Sequence, residues 1–221
     1  MAENSINRQN QRAYSAIAHL YAGSEPAEDD PGMRKHCREL FTGALKGTEV
    51  LEVGCGPGVD AHFLAQAGLK VTATDFCDEF VAIVGARFPA VTARKMDMTA
   101  PDFPEASFDG VYGFASFIHL PRALAAKTLT GLRKLLRPDG VLFLGLLRSR
   151  KVREYVIENW GGQPDNPMLF TCYDPEEIKK LLLEAGFARV DAHPFPSSKI
   201  YETMPRLLER GVSGYLILAF V

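Results

Sequence analysis

An α/β fold built on a parallel sheet covered on both faces is what this sequence predicts, and three observations carry it. From Thr48 onward short apolar runs alternate with longer amphipathic stretches, the pattern of successive βαβ units. The first apolar run ends in a glycine-rich turn that opens a helix, at the strand end where open α/β sheets hold ligands. With 221 residues, 47% of them hydrophobic, the chain can bury the core of one sizeable domain.

The elements follow in order. Tyr14, Ile17, Ala18 and Tyr21 fall at i, i+3, i+4 and i+7, one face of a helix. A stretch rich in Gly, Pro and acid (residues 23–32) precedes a second amphipathic helix through Cys37, Leu40, Phe41 and Leu45. These 45 residues come before the first strand, so they pack outside the sheet or over its mouth. Strands are expected at 49–54, 70–75, 90–94, 108–114 and 140–147, and helices at 60–67, 78–88 and 122–136. Pro138 stops the last of these helices and Asp139-Gly140 turns the chain into the next strand. Residues 148–171 make an unusually long connection. Asp174-Pro175 then starts a helix, as cap and first-turn proline, that ends at Gly186. Strands at 187–192 and 215–221 finish the chain. Nothing repeats, so residues 1–221 are expected to form a single domain. Within it, residues 1–45 serve as cover, 46–147 as ligand-binding core and 148–221 as a C-terminal half with the substrate-side connections.

Composition narrows the function. The balance of 25 Lys and Arg against 27 Asp and Glu, 25 − 27 = −2, argues against a nucleic-acid or anionic-membrane partner. The longest uncharged apolar runs, 140–147 and 214–221, are eight residues, against roughly 20 for a membrane span. The first fifteen residues are polar, so no secretory leader is expected. Cys37, Cys55, Cys77 and Cys172 lie 18, 22 and 95 positions apart, a spacing that suggests neither zinc nor a disulfide framework. The expectation is a soluble cytoplasmic enzyme without a metal, monomeric or homodimeric.

The strongest chemical signal is Val50-Leu-Glu-Val-Gly-Cys-Gly-Pro-Gly58, a buried strand running into three glycines and then a helix. Glycines there let a ligand approach the backbone. A dinucleotide fingerprint requires glycine at the sixth position from Gly54, where this chain has Val59. Asp60 would also sit where a pyrophosphate docks on a helix N-terminus, which disfavours a phosphate. No phosphate-loop pattern occurs elsewhere. The turn suits a ligand with a nucleoside and no phosphates.

Glu52-Val-Gly-Cys-Gly-Pro-Gly58 resembles the E-x-G-x-G-x-G motif of class I S-adenosylmethionine-dependent methyltransferases, and the chain most resembles their small-molecule branch. The resemblance implies a Rossmann-like three-layer sandwich with a seven-stranded, mostly parallel sheet, an antiparallel last strand and an N-terminal helical lid. It implies S-adenosylmethionine as cofactor and a small-molecule acceptor, with neither nucleic acid nor membrane as partner. It lays the turn through Gly54, Cys55 and Gly56 against the methionine part of the cofactor, with Glu52 placing its ammonium and sulfonium end. Asp75, 21 residues after Gly54, becomes the ribose ligand and Phe76 the cover of one adenine face. Asp97 and Met98 correspond to the acid and amide that meet the adenine edge. Main-chain atoms near Phe114 and Ala115 meet the methionine moiety. The segment Gly113-Phe-Ala-Ser-Phe-Ile-His-Leu-Pro121 is unlike the Asn/Asp-Pro-Pro-aromatic segment of enzymes that methylate nucleic-acid bases. Tyr14-Ser-Ala-Ile-Ala-His-Leu-Tyr21 is similar to the family's Y-D-x-x-A-x-x-Y lid helix, with Ser15 in place of the usual Asp.

Methyl transfer from a sulfonium needs alignment and exclusion of water more than acid–base help, and orientation contributes roughly 7–11 kcal/mol. Where the acceptor arrives protonated, His119 is the candidate base, just past the fourth strand and titrating near neutral pH. Its alternative role is to cap or pack the following helix. His19, His36, His62 and His193 read as surface or helix residues. Tyr14 and Tyr173 are further candidates for touching the acceptor. Arg148, Arg150, Lys151, Arg153 and Trp160 read either as a cationic lid or as a solvated connecting face. Residues 197–211 are the other possible pocket wall.

Overall fold

The computed structural model describes residues 2–24, 32–195 and 211–221. Two helices, α1 (Ala2–Ser15) and α2 (Ala18–Ser24), precede α3 (Met33–Ala44) and the first strand β1 (Glu49–Val53). Then come α4 (Val59–Gln66), β2 (Lys70–Asp75), α5 (Asp78–Arg87), β3 (Thr92–Lys95) and β4 (Phe108–Phe114). After β4 lie a 3₁₀ turn (Phe117–His119), α6 (Arg122–Leu135) and β5 (Leu136–Ser149). The chain closes with β6 (Glu154–Ile157), β7 (Met168–Thr171), α7 (Pro175–Glu184), β8 (Arg189–Pro194) and β9 (Val212–Phe220).

Seven strands form one sheet in the order β3-β2-β1-β4-β5-β9-β8. The first five pair in parallel, while β9 runs antiparallel between β5 and β8. The period-2 alternation sorts side chains to the two faces. Leu51, Val111, Leu142, Leu144 and Ile217 join Leu129, Leu132, Ile178 and Leu182 of α6 and α7. Val50, Tyr112, Val141, Phe143 and Leu216 join Phe41, Ala61, Leu64 and Val84 of α3, α4 and α5. Phe41, fully buried, meets Tyr112 at 5.3 Å between ring centroids and so anchors α3 to the sheet. Burying such a ring contributes about 1.5–3 kcal/mol.

Three departures from the expected elements have local causes. The Tyr14–Tyr21 stretch is two helices rather than one, because the backbone turns at Ala16 and Ile17. That turn buries Ile17 against Gly161, where an added Cβ would approach the isoleucine to 2.7 Å. Strand β5 begins at Leu136, pairs with Phe108, and resumes its register only at Gly110–Val141; Asp139 takes a positive φ of 65° in this irregularity. The long connection contains an antiparallel hairpin, β6–β7, with Trp160 in the turn between its strands. The helix start at Asp174 is as expected, its side chain accepting from the Glu176 amide at 3.0 Å. Residues 197–210 of the expected second pocket wall lie outside the described residues.

Candidate active site

A cavity of about 410 Å³ opens at the carboxyl end of the parallel strands, within the size range of small-ligand sites. The residues that the resemblance implies for the cofactor line it, and so does His119: Tyr14, Tyr21, Glu52, Gly54, Cys55, Gly56, Asp75, Phe76, Asp97, Met98, Phe114 and Ala115.

The turn after β1 forms its floor. Gly54 has φ +68°, and a Cβ there would run into Ser116, whose hydroxyl donates to the Val53 carbonyl at 2.6 Å. The Gly56 amide donates to Asp75 Oδ2 and the Cys77 amide to Asp75 Oδ1, both at 2.9 Å. Each carboxylate oxygen keeps a further lone pair, so Asp75 can accept two hydroxyls side by side. Burial pushes its pKa up, and the amides of Cys77 and Gly56 pull it back. Burial likewise holds the Cys55 thiol well above its ordinary value and that of Cys77 at about 12, which leaves both unreactive packing groups.

Behind the turn, Glu52 is buried and its Oε2 has no hydrogen-bond partner. Burial first, then neighbouring Asp60 and Asp75, push its carboxyl well above the usual range, against the pull of Arg34. Asp60, also buried, is held by Arg34 at 3.2 Å and Arg38 at 2.5 Å, both from α3. The acid that the sequence set against a phosphate neighbour is therefore the pin between α3 and α4. The two arginines were missed, although they stand one turn apart on the helix that carries Cys37 and Phe41.

On the β3 side, Asp97 Oδ1 accepts from the Thr99 amide at 2.9 Å and hydroxyl at 2.8 Å, and Oδ2 from Asn7 at 3.3 Å. The Phe76 carbonyl accepts from Gln11 at 2.9 Å. Asn7, Asn10, Gln11 and Tyr14 repeat the i, i+3, i+4, i+7 spacing in polar residues. A search for apolar stripes passes over this face, yet it is the one that α1 lays across the cavity.

His119 sits in the 3₁₀ turn after β4. Its Nδ1–H donates to the Leu169 carbonyl at 3.0 Å, and the Tyr14 hydroxyl donates to its Nε2 at 2.9 Å. Asn10 braces the pair: it donates to the His119 carbonyl at 2.7 Å and accepts from the Leu169 amide at 3.0 Å. Burial pushes the His119 pKa down to about 4, against the pull of the Leu169 carbonyl. The ring is therefore neutral at physiological pH, rather than poised near neutrality as its ordinary value suggests. Tyr14 also meets Tyr21 and Phe80 at 5.9 Å and Trp160 at 6.2 Å.

Several candidates fall outside the cavity. Tyr173 packs under Arg122 at 4.8 Å and against Phe117, away from the lining. Arg148 donates to Ser213 and Arg153 lies 3.8 Å from Glu177, so of the hairpin segment's cations and tryptophan only Trp160 reaches the site. His19 and His36 are exposed, and His62 stacks on Phe88 at 4.4 Å. Among the described residues no helix is long and apolar enough to cross a membrane.

Residues 50–140 match the methyltransferase domain family. A probable S-adenosylmethionine-dependent methyltransferase of Mycolicibacterium smegmatis is 31% identical over 73% of this chain and 61% of its own length. An S-adenosyl-L-methionine-dependent Diels-Alderase of Talaromyces variabilis is 34% identical over 66% of this chain and 55% of its own. The chain thus spans between half and two thirds of each of these relatives. The fold is that of the 1,6-didemethyltoxoflavin-N1-methyltransferase of Burkholderia thailandensis, solved with 1,6-didemethyltoxoflavin and S-adenosylhomocysteine. That match has a TM-score of 0.73 at 21% identity and covers 100% of this chain and 90% of that one.

Proposed function

We propose that this chain is a class I S-adenosylmethionine-dependent methyltransferase that transfers a methyl group to a small-molecule acceptor, in keeping with the methyltransferase domain model that residues 50–140 match and with the similar Mycolicibacterium protein. The observation that carries the reading is the buried Glu52 Oε2 without a partner beside Asp60 and Asp75, an acid-rich floor that favours a cationic ligand. The residues fit S-adenosylmethionine. Asp75 has a lone pair on each oxygen for a ribose diol, and Glu52 faces the ammonium and sulfonium end. Phe76, Asp97 and Met98 suit the adenine, and Gly54, Cys55, Gly56, Phe114 and Ala115 bring backbone close to the methionine part. Tyr14 and Tyr21 cover it.

When bound, S-adenosylmethionine supplies a methyl group already activated on sulfur. The chain's own work is to align, to exclude water and to receive a proton. α1 and the β6–β7 hairpin close the mouth together through Asn10 and through Asn166, which donates to the Ala13 carbonyl at 3.1 Å. His119 Nε2 is the acceptor for a proton from the nucleophile, directly or through the Tyr14 hydroxyl it already binds. The Leu169 carbonyl fixes the tautomer that makes this possible. Residues 1–45 act as cover, 46–147 hold the cofactor and 148–221 build the acceptor side of one domain. Its four cysteines are free thiols, in keeping with a cytoplasmic enzyme.

The test is transfer of label from S-adenosylmethionine tritiated in the methyl group to the low-mass fraction of a protein-free cell extract. Label in that fraction, absent with Asp75→Ala, is expected. Cofactor binding without any transfer would favour a protein that uses the bound nucleoside for something other than methylation.

A further inference from the structure

The side of the cavity facing β4, β5 and β9 differs in kind from the acid-rich floor. Among the described residues lining it there is no Asp, Glu or Lys. Its most unusual feature is a pair of glycines inside strands, where glycine marks a close approach to the backbone. Gly145 of β5 lies under the Phe114 ring: a Cβ there would come within 2.9 Å of that ring. Gly214 of β9 lies under Phe195, which a Cβ would meet at 2.8 Å. Because Leu147 pairs with Gly214, and Gly145 with Leu216, the two glycines are diagonal neighbours on one face of the sheet. The centroids of the rings they seat are 6.5 Å apart and the ring planes 26° apart. The Arg34 guanidinium stands over Phe114 at 5.4 Å.

Ordinary core packing does not call for two glycines side by side at a cavity wall. Any Cβ at either place would tilt or lift a ring, so the pair keeps both rings flat against the sheet end. Phe114 already carries one cation, the Arg34 guanidinium, so a second cation placed on this flat aromatic shelf meets like charge. The shelf rewards a planar ring, which stacks with full contact, over a puckered one of equal size.

Resting on the methyltransferase reading, we propose that the acceptor is a planar, uncharged conjugated ring system, bound stacked on the Phe114–Phe195 shelf. The experiment is calorimetric titration of the protein, alone and saturated with S-adenosylhomocysteine. The probes are 2-naphthol, its saturated analogue trans-decahydro-2-naphthol and the cationic 2-naphthylmethylamine. The proposal expects 2-naphthol to bind about tenfold tighter than either of the others. Gly214→Ala should weaken 2-naphthol about three- to tenfold and leave S-adenosylhomocysteine affinity unchanged; Phe195→Leu does the same without touching a strand glycine. Equal affinity for flat and saturated probes, tighter binding of the amine, or no binding of 2-naphthol overturns the shelf. S-adenosylhomocysteine that binds while the three probes show no preference removes the shelf and keeps the cofactor. Preference for 2-naphthol without any S-adenosylhomocysteine binding keeps the shelf and removes the cofactor.

Discussion

The two halves of the cavity are built by opposite means. On the β1–β3 side the acids are tied by backbone amides or by arginine: Asp75 at the end of β2 by Gly56 and Cys77, Asp97 two residues past β3 by Thr99, and Asp60 in the first turn of α4 by Arg34 and Arg38. On the β4–β9 side the lining is aromatic and aliphatic. Its one titratable ring, His119, has both nitrogens engaged. A constant ligand can be met by local motifs in one stretch of chain. On the proposed reading a variable one is met by surfaces gathered from β4, β5, the β6–β7 hairpin and β9, which lie far apart in sequence.

The largest expected effect breaks the pinned side. Asp60→Ala removes the buried acid that holds Arg34 and Arg38 and should cost about 3–5 kcal/mol of stability, read from urea unfolding. Next, Asp75→Ala should weaken nucleoside binding at least about a hundredfold, since hydrogen bonds to a charged group are worth about 1.5–3 kcal/mol each. Equilibrium dialysis with S-adenosylhomocysteine measures it, and an unchanged constant would remove Asp75 from the site.

The pH dependence separates the halves by sign. His119 titrates near 4 when folded and near 6.5 when unfolded. Between those values the unfolded chain binds more protons, so its contribution is present above 6.5 and is lost as pH falls towards 4, on the order of 3 kcal/mol in all. Glu52 runs the other way: its folded pKa lies above 4.5, so the folded protein holds the extra proton and stability declines as pH rises through that window. Comparing wild type with His119→Gln and with Glu52→Gln across pH should show opposite slopes. Slopes of the same sign would contradict the assignment. The smallest effect lies far from both halves. Lys46→Ala breaks an exposed pair with Asp139 and should change stability by less than about 1 kcal/mol.

The same contrast explains what was legible in the sequence. Strand alternation, the Asp174 cap and the glycine turn are local signals, so the parallel sheet and the turn could be read directly, while Glu52, Asp75 and Asp97 came from the family resemblance that the turn's motif carries. The antiparallel insertion of β9 came from the family resemblance, because pairing order is not local. The Arg34–Asp60–Arg38 pin was invisible, since nothing in either segment names the other. Asn7, Asn10 and Gln11 were overlooked because their helical face is polar. Gly145 reads as an ordinary strand residue and Gly214 falls just before the expected last strand, so neither stands out until Phe114 and Phe195 are placed on them.

The central claim is that the acid-rich half binds S-adenosylmethionine, and calorimetric titration with that compound and with S-adenosylhomocysteine tests it most directly. The account predicts saturable one-to-one binding of both, lost in Asp75→Ala and kept in His119→Ala. No heat from either compound at high micromolar concentration would contradict it.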